Sequence, residues 1–108
     1  MSADEVDELF QELRREYLAE SADRLAELRS DVSGFRAGAA EAAASLKTHF
    51  HRLAGSGGSY GFPDVSAIAK EAELWIATRP APDTEAVARL EVAIDRLQAA
   101  FNAEKREQ

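Results

Sequence analysis

Two histidines, His49 and His51, stand just before a stretch of seven residues that holds four of the six glycines: Gly55, Gly57, Gly58 and Gly61. Imidazole can bind metal, move protons or act as a nucleophile, and the spacing discriminates among these. Residues two apart on a helix point about 200° away from each other, so His49 and His51 cannot chelate one ion. Positions 47, 51, 54, 55 and 58 share a helix face, which gives His51 the neighbours Lys47, Ala54, Gly55 and Gly58. Toward the C-terminus that imidazole meets only small residues. It sits about 100° from the buried seam marked by Phe50 and is expected at the surface. An exposed imidazole with a cleared approach suits reaction with a bulky macromolecular partner, not chemistry in a closed pocket. His49 shares its face with Ser45, Arg52 and Ser56 and reads as an ordinary flank residue.

The glycines need a reason, because each one inside a helix loses about 1 kcal/mol against Ala. Close packing accounts for Gly57, on the buried seam; Gly55 and Gly58 fit clearance around His51. Other chemistries fall away. The glycine stretch contains neither G-x-x-x-x-G-K-[ST] nor G-x-G-x-x-G, so it cradles no nucleotide. A Ser-His-Asp set could be drawn through Ser56 or Ser59, but there is no nucleophile elbow. No Glu lies three residues before either histidine, as a di-metal bundle requires. The acids, including Glu71 and Glu73, read as a solvated outer surface. No cysteine is present to serve as a thiolate or zinc ligand. No metal or cofactor is expected.

The elements that position His51 all read as helices. Val87, Leu90, Ile94, Leu97 and Phe101 recur at helical spacing, with Asp83 as N-cap, and predict a helix over about 84–105. A first helix, about 3–33, opens on the capping box Ser2–Glu5 and stops at Gly34. It turns Val6, Phe10, Leu13, Tyr17, Ser21, Leu25, Leu28 and Val32 to one side. The second, about 39–60, buries Leu46, Phe50, Leu53 and Gly57; Gly61 supplies its left-handed cap, Phe62 packs back and Pro63 prevents continuation. The third, about 64–78, sends Val65, Ile68, Ala72, Trp75 and Ile76 inward. Four helices with short connections and one apolar stripe each pack as an all-α, antiparallel, up-down-up-down four-helix bundle.

The 108 residues make one domain, with about two-thirds of the unfolded surface buried. A net charge of -7 opposes nucleic-acid binding. No run approaches the ~18 apolar residues of a spanning helix, and the acidic N-terminus is unlike a secretory leader. A monomer in the cytoplasm, with no membrane contact, is expected.

The stretch His51-Arg52-Leu53-Ala54-Gly55-Ser56-Gly57-Gly58-Ser59-Tyr60-Gly61-Phe62 resembles the phosphoacceptor motif of histidine phosphotransfer (HPt) domains, the four-helix modules of two-component phosphorelays. The family pattern is a His, an apolar residue two later, often Lys and then Gly at the next two positions, small residues, and finally Gly with an apolar residue. His51, Leu53, Gly55, Ser56, Gly58, Gly61 and Phe62 fit it. The resemblance implies a phosphohistidine carrier and not an enzyme, in two-component signal transduction. The phosphoryl group would sit on Nε2 of His51, exchanged with response-regulator receiver domains downstream of a sensor or hybrid histidine kinase. The receiver would supply the aspartate and the Mg²⁺. Ala54 stands where the family often has a Lys that offsets phosphoryl charge; Lys47, one turn earlier, is the expected substitute, with Arg52 a weaker candidate. Two alternatives stay open: a phosphoacceptor domain of a chemotaxis-type histidine kinase, and a helical interaction module with no phosphoryl chemistry. A helix capped right after Met1 and a charged tail point to a free-standing module.

Overall fold

The computed structural model describes all residues, Met1–Gln108. Its elements are α1 (Ala3–Ala19), α2 (Ser21–Arg36), α3 (Ala42–Ser59), α4 (Pro63–Ile76) and α5 (Thr84–Glu107), with no strand. Helices α2 to α5 form the antiparallel four-helix bundle: each packs on its two neighbours around a ring, and the diagonal pairs stand farther apart. No helix is long and apolar enough to cross a membrane.

The first predicted helix is divided. The backbone stays helical through Glu20, whose N–H bonds Glu16 and Tyr17, but Ser21 turns its buried hydroxyl onto the Leu18 carbonyl. A side chain inserted into the hydrogen-bond ladder is a recognised cause of a break. From Ala3 to Arg36, at roughly 1.5 Å per residue, the two segments would span about 51 Å end to end. The longest dimension of the molecule is 52 Å. α1 therefore continues near the line of α2 and overshoots the bundle. This explains a correction: Val6, Phe10 and Leu13, expected on the buried side, are exposed together with Leu9, and α1 buries only Tyr17 and Leu18.

The helix ends follow local chemistry. Ser2 Oγ accepts from the Glu5 N–H and Asp83 accepts from the Ala86 N–H, so both N-caps read from sequence form. Gly34 does not stop α2, which runs on to Arg36. Gly38 does so, with φ of 79°, as Ala39 N–H bonds the Gly34 carbonyl and Gly38 N–H that of Phe35. The turn that follows delays α3 to Ala42, three residues later than expected from sequence. Gly61, φ 80°, ends α3 as expected: Phe62 N–H bonds the Gly57 carbonyl at 2.7 Å and the Phe62 ring is fully buried. α4 begins at Pro63 and stops at Ile76, with Arg79 in the left-handed region just before Pro80.

The core gathers Leu25, Leu28, Leu46, Phe50, Phe62, Val65, Leu90, Ile94, Leu97 and Phe101, each at most 2% exposed. Ile68 and Trp75, expected inside, are only half-buried, and Trp75 takes the Arg89 guanidinium over its ring. α3 and α4 approach closely because Gly57 lacks a side chain. A Cβ there would lie 3.0 Å from both the Ser66 backbone nitrogen and Val65 Cγ1. That close approach fixes the register of the two helices that form the site.

Candidate functional site

α3 carries His51 outward from the core residues Phe50 and Leu53, and its side chain is 72% exposed. Its Nδ1 lies 2.9 Å from Glu73 Oε1 and 3.1 Å from Oε2. An ionised carboxylate can only accept, so Nδ1 carries the proton and donates. The other nitrogen, Nε2, is left with its lone pair pointing outward and no protein partner. A carboxylate bonded to one imidazole nitrogen fixes the tautomer and raises the basicity of the other.

Glu73 is the correction with most consequence. Its sequence position predicts an outer-surface residue, yet it is 6% exposed and shares the buried side of α4 with Ala69, Ala72 and Ile76. The hydrogen bond from His51 holds its carboxyl below the usual value. Burial works the other way and is outweighed; Lys70, and the His51 ring whenever it is protonated, add to the lowering. A buried carboxylate needs partners. Glu73 has two, because Lys70 Nζ is 3.4 Å from Oε1. One signal was present in the sequence: Glu73 lies four residues after Ala69 and three before Ile76, inside the apolar stripe.

His49 occupies a different setting. Nδ1 is 2.5 Å from Asp31 Oδ2, Asp31 accepts from Ser45 Oγ, and Nε2 is 3.5 Å from Glu27. It is a half-buried tie between α2 and α3, and more than the ordinary flank residue expected. Both its nitrogens face carboxylates, so a phosphoryl dianion placed there would meet negative charge on either side.

The other sequence-selected residues divide between the two flanks of α3. Lys47 is exposed and makes no ion pair; Arg52 lines a small depression with Arg24, Glu27 and His49, on the side of α2. Ala54 is half-buried, and its carbonyl accepts from Ser66 Oγ at 2.6 Å. Gly55 is open, with nothing within 4 Å of where a Cβ would stand. Gly58 is less open than expected, since its Cβ would lie 3.4 Å from Ser66 Oγ. Clearance beside His51 is thus greatest at Gly55, and Gly58 also serves the contact with α4.

Behind this surface, Tyr17 braces the helix. Ser56 Oγ donates to the Arg52 carbonyl, so the Tyr17 hydroxyl is the donor in its 2.7 Å bond to Ser56. Desolvation by burial raises the Tyr17 pKa above its ordinary value, which keeps the phenol protonated. No three His, Asp or Glu side chains gather as a metal site would need.

Comparison with family models matches residues 12–100 to the Hpt domain, which is most of the chain. Neither the curated proteins nor the solved structures give a match.

Proposed function

The chain belongs to the Hpt domain family, and on that premise we propose that it relays phosphoryl groups between receiver domains with His51 as acceptor. Membership implies a role in histidine phosphotransfer. The observation that carries the assignment to His51 is the Nδ1–Glu73 bond beneath an exposed ring, which leaves Nε2 as a free nucleophile.

In the transfer, the Nε2 lone pair attacks the phosphorus of an aspartyl phosphate on the receiver. The N–P bond forms, the acyl-oxygen–phosphorus bond breaks, and the aspartate departs with that electron pair. Nδ1 keeps its proton, so the ring becomes cationic as the dianionic phosphoryl group arrives. Glu73 stands ready to stabilise that positive charge. The step needs in-line positioning and charge stabilisation more than further covalent help, and it reverses by the same path. This is carrier chemistry: the receiver brings its own aspartate and Mg²⁺, and the bundle provides a rigid helix and room to dock. The reading treats residues 1–108 as one domain acting as a monomer in the cytoplasm, between a sensor or hybrid kinase and its receivers.

The test is incubation of wild type and His51→Gln with a panel of phosphorylated receivers, following acid-labile label. Label on wild type that is absent from His51→Gln supports the reading; equal label on both contradicts it.

Clearance makes its own prediction. Gly55→Leu fills open space and gains helix propensity, so its Tm should equal or exceed that of wild type. Transfer from a receiver should nevertheless slow by about tenfold or more, since a lost near-attack geometry costs that much. Stopped transfer assays beside thermal melts check this; a wild-type rate would show that receivers do not approach over Gly55.

A further inference from the structure

The register of α3 on α4 puts a cation beside His51 that the motif itself lacks. Gly57 lies against Val65 and Ser66, and His51 against Glu73, so the stretch from Gly57 back to His51 runs alongside Ser66 to Glu73. One turn before Glu73 on α4 is Lys70; one turn after His51 on α3 is Ala54. The antiparallel pair sets these two at the same level. Ala54 brings no charge at that level, and the Lys70 ammonium is held at Glu73, which holds His51.

We propose that Lys70 is the cation of the phosphoacceptor site, paired with Glu73 while the imidazole is free and with the phosphoryl oxygens once the N–P bond has formed. This rests on the reading of His51 as the acceptor. The ring attacks in its neutral form, and in that form the buried Glu73 carboxylate draws on Lys70 for compensating charge. After transfer the ring is cationic and shares its Nδ1 proton with Glu73, so Lys70 is released just as a dianion arrives. Lys70 can make the move: its side chain is 53% exposed and its stem flexible, whereas Glu73 is fixed by burial. The rival cations are less well placed. Arg52 faces the α2 side, and Lys47 makes no hydrogen bond or ion pair with His51 or Glu73.

The experiment uses phosphoramidate as a small phosphodonor, which removes receiver docking from the comparison. Wild type, Lys70→Ala, Lys70→Arg and the double variant Lys70→Ala/Ala54→Lys are labelled, with folding checked by circular dichroism. Lys70→Ala should label about tenfold more slowly, less than the loss of a buried oxyanion donor because the site is open to water. Lys70→Arg should stay near wild type, and Ala54→Lys should restore most of the lost rate by returning a cation to the same level. ³¹P spectra give a readout that a structural role would not move: without Lys70, the phosphoryl group of phosphohistidine should titrate at higher pH. Wild-type rate and titration in Lys70→Ala would overturn the proposal for Lys70 alone. Absence of label from every variant, wild type included, would overturn the reading of His51 and this proposal with it.

Discussion

Tyr17→Ala is expected to lower the stability of the fold by about 3–5 kcal/mol, the range for removing a large buried aromatic side chain. Tyr17 is 4% exposed and stacks on Tyr60 at 4.7 Å and on Phe62 at 5.8 Å, with Phe101 tilted against it at 6.0 Å. It joins α1 to the end of α3, the α3–α4 turn and α5. With Leu18 it is all that α1 buries, so its loss should free α1 as well as open a cavity. For a domain near this size the change amounts to a fall in Tm of roughly 12 °C or more. Tyr17→Phe keeps the ring and loses one hydrogen bond to Ser56, so about 1 kcal/mol is expected. Thermal and urea unfolding of both variants provide the check. A Tyr17→Ala protein within 1 kcal/mol of wild type would mean that α1 is not anchored through this ring.

Glu73→Gln is expected to slow phosphorylation of His51 by about tenfold or more, the scale at which a metal-bound imidazole suffers from loss of its carboxylate partner. Gln can still accept the Nδ1 proton, but it brings no negative charge to the ring as that becomes cationic. It can also donate, so it no longer dictates the tautomer. The substitution has a pH signature too. Glu73 is held below its ordinary value of 4.5 in the folded state, with the hydrogen bond from His51 the leading cause. A carboxyl whose folded pKa is lowered contributes stability above its unfolded value. That contribution is lost as pH falls from 4.5 through the lower folded value. Urea unfolding of wild type and Glu73→Gln should therefore differ at pH 7, and the difference should shrink as pH falls below 4.5. A difference unchanged by acid would mean that the ionised carboxylate does not stabilise the fold.

Much of this architecture is legible in the chain because helical periodicity and caps are local signals. The stripe from Val87 to Phe101, the Asp83 cap and the Gly61–Phe62–Pro63 stop each depend on residues within a turn or two, and each forms as expected. What was not legible depends on the third dimension. Val6, Phe10 and Leu13 continue the stripe of Tyr17 and Leu25 without a change of period, and only the length of the bundle shows that they pass its end. The division at Glu20 comes from one serine hydroxyl. A composition argument places every glutamate outside, but Glu73 is drawn in by partners from another helix and from its own preceding turn. His49 likewise gains its role from Asp31 and Glu27, on α2. Sequence spacing along α3 directed attention to Lys47, since it compares residues on one helix; a lysine from α4 becomes visible only when the register of the pair is known.

The central claim is that His51, through Nε2, holds the phosphoryl group. It is tested most directly by labelling the uniformly ¹⁵N-enriched protein with phosphoramidate and correlating ³¹P with the ring nitrogens by NMR. One phosphohistidine is predicted, coupled to Nε2 of His51, with the Nδ1 proton retained and both His49 nitrogens unchanged. Phosphorus coupled to His49, or to Nδ1 of His51, would contradict the account.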